Sequence, residues 1–183
     1  DTIVIEAIPI AEIPDRIETV YKEIKTVNTE FSSFQDQESI DSLTERGKSI
    51  LLVEIKRIEE SRESMSNREL LDEEKEWKRI SKELDVWKDK FNNRSIIIDE
   101  QSKKVDLMLQ RWTLTLDEAI KQEVPDQLME RIQTVLKDIK NINKDVKEKQ
   151  DQVYLNQDNI TEFILTVDDI LNTLEEESAY LML

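Results

Sequence analysis

The sequence predicts an all-helical protein organised around a long antiparallel helical hairpin. Two stretches carry an apolar residue at every seventh position, and each stretch holds this phase for eight positions. With partners three or four residues away, such a repeat places one narrow apolar stripe along one side of a helix. The repeat positions are Leu70, Trp77, Leu84, Phe91, Ile98, Val105, Trp112 and Ala119 in the first arm, and Ile132, Ile139, Val146, Val153, Ile160, Val167, Leu174 and Leu181 in the second.

A proline separates the two arms and marks the predicted tip of the hairpin. Pro125 has no backbone N–H for the helix ladder and favours the first turn of a helix, so it can end one arm and begin the next. Neither arm contains a glycine or proline. The repeats therefore predict helices over roughly 67–122 and 125–180, each about 80 Å long at 1.5 Å per residue. The short connection near 123–126 requires an antiparallel return.

The N-terminal third predicts an extended arm and two shorter helices. Residues 1–13 contain β-branched side chains and Pro9, which favour an extended arm docked against a helix. Apolar residues spaced by three and four predict helices over about 14–34 and 38–64. We expect one domain over 1–183, in which 14–66 forms a helical hairpin packed on the base of the long hairpin 67–183. The base would be a four-helix bundle made of 14–34, 38–64, about 67–92 and about 153–180.

A polar patch interrupts the predicted seam between the arms. If the hairpin turns near residue 124, then Arg94, Gln101 and Ser102 face the vicinity of Lys149 and Asn156. Polar residues at such positions weaken a coiled coil but can fix its register.

The sequence is also compatible with one competing fold. In it the third helix breaks at Asn92-Asn93 and the chain folds back as a compact spectrin-like bundle. The unbroken repeat from Leu84 through Phe91 to Val105 favours a continuous helix.

The composition argues against most chemical functions. The chain has 26 Lys and Arg against 42 Asp and Glu, a net charge of −16, and no Cys or His. The charge disfavours nucleic acid and anionic lipid surfaces as partners. The missing residue types exclude thiolate zinc sites, cysteine nucleophiles and histidine acid–base chemistry. With one glycine there is no phosphate-binding loop. We therefore expect no enzyme activity, no catalytic residue, no cofactor, no metal site and no small-molecule substrate.

The segment around Pro125 is more specific than a general coiled coil. It reads W-x-x-T-L-x-x-A before the proline and P-x-x-L-x-x-R-I-x-x-V-L-x-x-I from it onwards. This segment resembles the periplasmic N-terminal region of large mechanosensitive channels of the small-conductance (MscS-like) family, and the similarity is clearest over about 70–181. The motif residues are Trp112, Leu116, Ala119, Pro125, Leu128, Arg131, Ile132, Val135 and Ile139.

The resemblance implies a location and a role rather than an active site. It implies a periplasmic domain attached to the bacterial inner membrane through segments beyond this chain, with self-association through the parent channel. The expected function is then a non-catalytic spacer or lever placed before the membrane helices of a mechanosensitive ion channel. The alternative is a soluble coiled-coil scaffold or adaptor that binds partner helices.

Overall fold

The computed structural model describes residues 4–32 and 37–180, and helices account for most of them. These residues contain no β-strand, which confirms the predicted all-α class. A 3₁₀ turn at Ile10–Glu12 precedes the first helix, and another at Arg62–Ser64 follows the second. The helices are α1 (Ile13–Ser32), α2 (Gln37–Ser61), α3 (Asn67–Lys121) and α4 (Asp126–Tyr180).

The third helix is continuous through Asn92 and Asn93, so the competing fold with a break at that point is wrong. Both α3 and α4 contain 55 residues, and their bounds lie within one residue of the predicted ones. Asparagine is a poor helix former, but its cost is well below 1 kcal/mol per residue. Burial of Phe91 and Ile98 on either side of the pair favours the continuous helix.

The heptad stripes of α3 and α4 form the buried face of the long helix pair. Every described repeat position is buried except Leu84, which is half-buried. Leu181, the last predicted position, lies outside the described residues. The stripe residues Ile98, Val105, Ile132 and Ile139 have no exposed surface. The seven-residue spacing therefore predicted the buried face correctly.

The described chain divides into two compact units, and α3 and α4 contribute to both. The first unit combines α1 with the part of α3 from Ile96 onwards and the part of α4 up to Gln152. The second combines α2 with α3 up to Ser95 and with α4 from Val153 onwards.

In the first unit, side chains link α4 and the N-terminal arm to their neighbours. Lys147 of α4 donates to Ser102 of α3 at 2.7 Å, and Gln150 donates to Asp99 at 2.7 Å. The residue number rises along α4 as it falls along α3, so the two segments run antiparallel as predicted. The backbone N–H of Ile8 donates to Thr115 Oγ1 at 2.9 Å, which docks the arm on α3.

The first helix belongs to this unit, contrary to the predicted bundle at the base. The Tyr21 hydroxyl of α1 donates to Asp138 Oδ2 of α4 at 2.9 Å. Desolvation of Tyr21 and this hydrogen bond raise the pKa of its hydroxyl. The base bundle expected from 14–34, 38–64, 67–92 and 153–180 is not confirmed, because α1 and α2 lie in different units. Periodic spacing identifies the apolar face of α1 but not the helices that cover it.

In the second unit, α2 packs against α3 and α4 around a common core. The buried core residues are Ile58, Leu70, Trp77, Val167, Ile170 and Leu174. Arg57 of α2 donates from Nη2 to both carboxylate oxygens of Glu73 at 2.8 Å, and from Nε to Glu54 at 2.7 Å. The hydrogen bond to Glu54 has the larger effect on the Arg57 guanidinium, and together with the bonds to Glu73 it raises the pKa of this group. Here too α3 and α4 are paired, since Gln157 donates to Asn92 at 2.9 Å.

A capping box fixes the start of α3. The Ser66 hydroxyl accepts from the Glu69 N–H at 3.4 Å, and the Glu69 carboxylate accepts from the Ser66 N–H at 2.7 Å. This reciprocal pairing satisfies donors that a helix N-terminus leaves open. The backbone and side-chain hydrogen bonds from Ser66 lower the pKa of Glu69.

We expect replacement of Gly47 by alanine to stabilise the protein. A Cβ at Gly47 would lie 3.6 Å from Cε2 of Phe163, which is an ordinary van der Waals contact. The helix interior therefore loses the conformational cost of glycine without a clash, and Gly47→Ala should raise the free energy of unfolding by about 1 kcal/mol. Urea denaturation followed by circular dichroism measures this change. Glu45→Ala, on the exposed surface of the same helix, is the control and should stay within about 0.5 kcal/mol. A destabilised Gly47→Ala variant would mean that the helices approach more closely than this contact allows.

Candidate functional site

The candidate site is the tip segment, which we define as residues 112–139 of the first unit. Five of the nine motif residues are buried: Trp112, Ala119, Ile132, Val135 and Ile139. Leu116 and Leu128 are half-buried, while Pro125 and Arg131 are exposed. The motif therefore consists mainly of stripe residues around a turn, with Arg131 as its one charged, solvent-facing member.

The turn at the tip is a Schellman motif with an unusual residue. The Val124 N–H donates to the Ala119 carbonyl and the Glu123 N–H donates to the Ile120 carbonyl, both at 3.2 Å. These are the two hydrogen bonds that define the motif. Glu123 has φ 50°, and no other non-glycine residue of the described chain has a positive φ. Glycine adopts this left-handed conformation readily, whereas an L-residue such as glutamate has a steric cost there.

The proline begins the second arm as the sequence predicted. The Pro125 carbonyl accepts from the N–H groups of Leu128 and Met129, at 2.9 and 3.1 Å, so it provides the first acceptor of α4. Its missing N–H costs nothing at this position, where a helix leaves donors unpaired. The turn is therefore set by Glu123 and Pro125 together.

Thr115 has a structural role that the sequence did not reveal. It is almost fully buried, its hydroxyl donates to the Arg111 carbonyl at 2.8 Å, and its Oγ1 accepts from the Ile8 N–H at 2.9 Å. Thr115 is part of the motif, but a threonine beside an apolar stripe is usually an exposed helix residue. The pairing with Ile8 joins residues 107 positions apart, which no local pattern indicates.

The first unit contains its own part of the predicted polar patch. Gln101 and Ser102 are buried on α3. Ser102 accepts from Lys147, which also forms an ion pair with Asp106 at 3.1 Å. The partner of Ser102 is thus Lys147, two residues from the predicted Lys149. Gln101 Oε1 is buried and has no hydrogen-bond partner among the described residues.

The second unit contains the remaining polar positions of the seam. Arg94 of α3 and Asn156 of α4 are buried, as expected of residues that face the partner helix. The nearby Gln157–Asn92 hydrogen bond again joins α4 to α3. Such polar positions contribute less to stability than apolar ones, but they restrict which register is favourable.

The tryptophans lie where core packing places them. Trp77 and Trp112 are buried, and Trp87 is half-buried beside Phe91, with ring centroids 6.1 Å apart. Lys90 Nζ lies 5.0 Å from the centroid of the Trp87 ring, a cation–π geometry.

The acidic residues of the described chain do not converge on a metal site. Among the side chains that the structure describes, no three or more Asp or Glu residues lie close enough to hold an ion together. In the same residues, no helix combines the length and apolar character needed to cross a membrane.

Comparisons with protein-family models, curated proteins and solved structures found no match to this chain.

We expect Glu123→Gly to stabilise the tip. Glycine adopts the left-handed conformation without the steric cost that Glu123 pays, so the free energy of unfolding should rise by roughly 0.5–1 kcal/mol. Glu130→Gly removes the same charge from an exposed position inside α4 and should lower it by about 1 kcal/mol. Thermal and urea unfolding of both variants provide the measurement. Equal destabilisation by both substitutions would contradict the Schellman turn at Glu123.

We expect Gln101→Leu to stabilise the first unit as well. The substitution removes a buried acceptor without a partner and adds apolar volume to the seam, so unfolding should cost about 1 kcal/mol more. Ser102→Ala, at the neighbouring buried position, removes the acceptor of Lys147 and should cost about 1 kcal/mol of stability. Urea denaturation measures both changes, and a higher free energy of unfolding for Gln101→Leu with a lower one for Ser102→Ala supports this interpretation of the polar patch. A loss of stability in Gln101→Leu would show that the amide makes an essential hydrogen bond.

Proposed function

We propose that this chain is a non-catalytic structural domain in the periplasmic part of a mechanosensitive ion channel, where its long hairpin acts as a spacer or lever before the membrane helices. The observation that carries the mechanical part is the pairing of two uninterrupted 55-residue helices along one buried stripe. A displacement at one end of such a helix is passed along its hydrogen-bonded backbone rather than absorbed by flexible loops.

Surface ion pairs support a stiff helix pair. Pairs three or four residues apart occur along both arms, such as Arg79 with Glu76 and Glu83 on α3, and Lys144 with Glu148 on α4. Each contributes only a few tenths of a kcal/mol to an isolated helix. In sum they favour helix over coil on faces that no neighbour covers.

The channel setting rests on the resemblance of the tip segment to the periplasmic regions of MscS-like proteins. In that setting the chain reaches the inner membrane through downstream segments, and copies associate around the pore through the parent protein. A charge of −16 favours keeping the domain away from an anionic bilayer surface. The four-helix bundle at the base is not needed for this proposal, since the lever depends on α3 and α4.

The test is to record channel opening in membrane patches from cells that express the parent protein. Deletion of residues 67–180 should shift the pressure threshold or the gating kinetics. A point variant gives a finer test, because Ile139→Asp buries a charge in the stripe and should disrupt the hairpin. Lys140→Asp introduces the same side chain at an exposed neighbour and is the matched control.

The expected result is a changed threshold for the deletion and for Ile139→Asp, with the control close to the unaltered channel. Unchanged threshold, kinetics, selectivity and assembly in the deletion would remove the proposed role.

A soluble scaffold or adaptor is the second candidate, and exposed apolar residues of α2 favour it. Ile50, Leu52 and Val53 are 62%, 61% and 66% exposed, although each is a large apolar side chain. Clusters of this kind often mark sites where partner proteins bind. The complete reading frame of the gene separates the two candidates: apolar spans of about 20 residues after Leu183 favour the channel, and further coiled coil favours the adaptor.

A further inference from the structure

A groove between α1 and α3 in the first unit combines an apolar floor with a cationic rim. We name it the α1–α3 groove; its volume is about 410 Å³. The buried side chains of Val20, Val27, Met108 and Trp112 contribute to its lining. This volume is within the range of pockets that hold one small organic ligand, and it is far smaller than a site for a folded partner.

The rim of the α1–α3 groove carries three cations although the chain is strongly acidic. Arg16, Lys104 and Arg111 line it, against one carboxylate, Glu23. Arg16 pairs with Glu12 at 3.4 Å. Within the described part of the chain, the side chains of Lys104 and Arg111 have no hydrogen-bond or ion-pair partner. Two cations are therefore available beside an apolar surface.

The second unit contains another groove, whose lining residues carry a different charge. Its volume is about 290 Å³, and Trp77, Trp87 and Phe163 are among its lining residues. Its one charged lining residue is Glu54, so it has no cation to select an anionic group. The combination of apolar floor and positive rim thus distinguishes the α1–α3 groove.

We propose that the α1–α3 groove binds one free single-chain carboxylate amphiphile, with its alkyl chain on the Met108–Trp112 floor and its carboxylate between Lys104 and Arg111. Burial of the alkyl chain supplies the apolar driving force. Lys104 and Arg111 are solvent-exposed, so they pair with the carboxylate at the rim and select its charge, while the buried alkyl chain contributes most of the binding free energy. The proposal goes beyond the structural role given above and does not depend on the channel setting.

Calorimetric titration of the full chain with dodecanoate, below its micelle concentration, tests binding. One site is expected, and dodecyltrimethylammonium, which has the same chain and the opposite charge, should bind at least tenfold more weakly. The double variant Lys104→Gln/Arg111→Gln should weaken dodecanoate binding at least tenfold. Lys103→Gln/Lys137→Gln makes the same change in net charge at exposed positions outside the groove and should bind as the unaltered chain does.

Nuclear magnetic resonance locates the bound chain. Dodecanoate should shift the Met108 methyl and Trp112 indole signals and leave the Trp77 and Trp87 indoles unchanged. Absence of dodecanoate binding, equal binding of the cationic amphiphile, or equal binding by the groove double variant would overturn the proposal. Shifts confined to Trp77 and Trp87 would also overturn it and would assign binding to the other groove.

An experiment with lipid vesicles distinguishes binding of a free amphiphile from binding to a membrane surface. Flotation with phosphatidylglycerol vesicles should leave the chain unbound, because its net charge is −16. Association with vesicles in the absence of dodecanoate binding would contradict the proposal and would identify lipid headgroups as the ligand.

Discussion

Burial of one apolar residue in every seven along α3 and α4 is the constraint on which the structure depends. A single stripe of this width can be covered by one partner helix plus one shorter helix, and both units follow this arrangement. In the first unit the shorter helix is α1, and in the second it is α2. Because each stripe residue is removed from water on one side of a helix, the opposite faces can remain highly charged. This explains how a chain with 37% charged residues still buries apolar side chains in each unit.

Polar side chains restrict the register of α3 against α4, which the apolar stripe alone does not determine. The stripe fixes which face of each helix is buried, but neighbouring heptads offer similar apolar contacts, so a slip by seven residues costs little hydrophobic energy. Pairs such as Ser102 with Lys147 and Gln157 with Asn92 are lost after such a slip. The tip adds a geometric limit, since Glu123 and Pro125 allow only a short return. Register and apolar burial therefore come from different residues.

The sequence was sufficient for features that depend on local pattern. Helix limits at Asn67 and Asp126 follow from Ser66 and Pro125, and the buried faces follow from the repeats. The polar character of Arg94, Gln101, Ser102 and Asn156 inside the seam was also visible, because these residues occupy positions that the hairpin turns inward.

Features that depend on partners far along the chain were not predictable. The spacing of apolar residues identifies the buried face of α1. That face does not show whether α1 packs against the part of α3 before residue 95 or the part after it. The contacts of Ile8 with Thr115 and of Tyr21 with Asp138 join residues more than 100 positions apart, which no local pattern indicates. The cationic rim of the α1–α3 groove was hidden for the same reason, since Arg16 and Arg111 are 95 residues apart (111 − 16).

Cysteine cross-linking within α3 and α4 tests the antiparallel helix pair most directly, because the natural chain contains no cysteine. Asp99→Cys with Gln150→Cys, and Asn92→Cys with Gln157→Cys, place thiols at side chains that share a hydrogen bond. We expect rapid intramolecular linkage of both pairs by a short bismaleimide, and slow linkage of Asp99→Cys with Asn143→Cys, one heptad away. Preferential linkage of the Asn143 pair, or no linkage of the Asn92 pair, would contradict the continuous antiparallel hairpin.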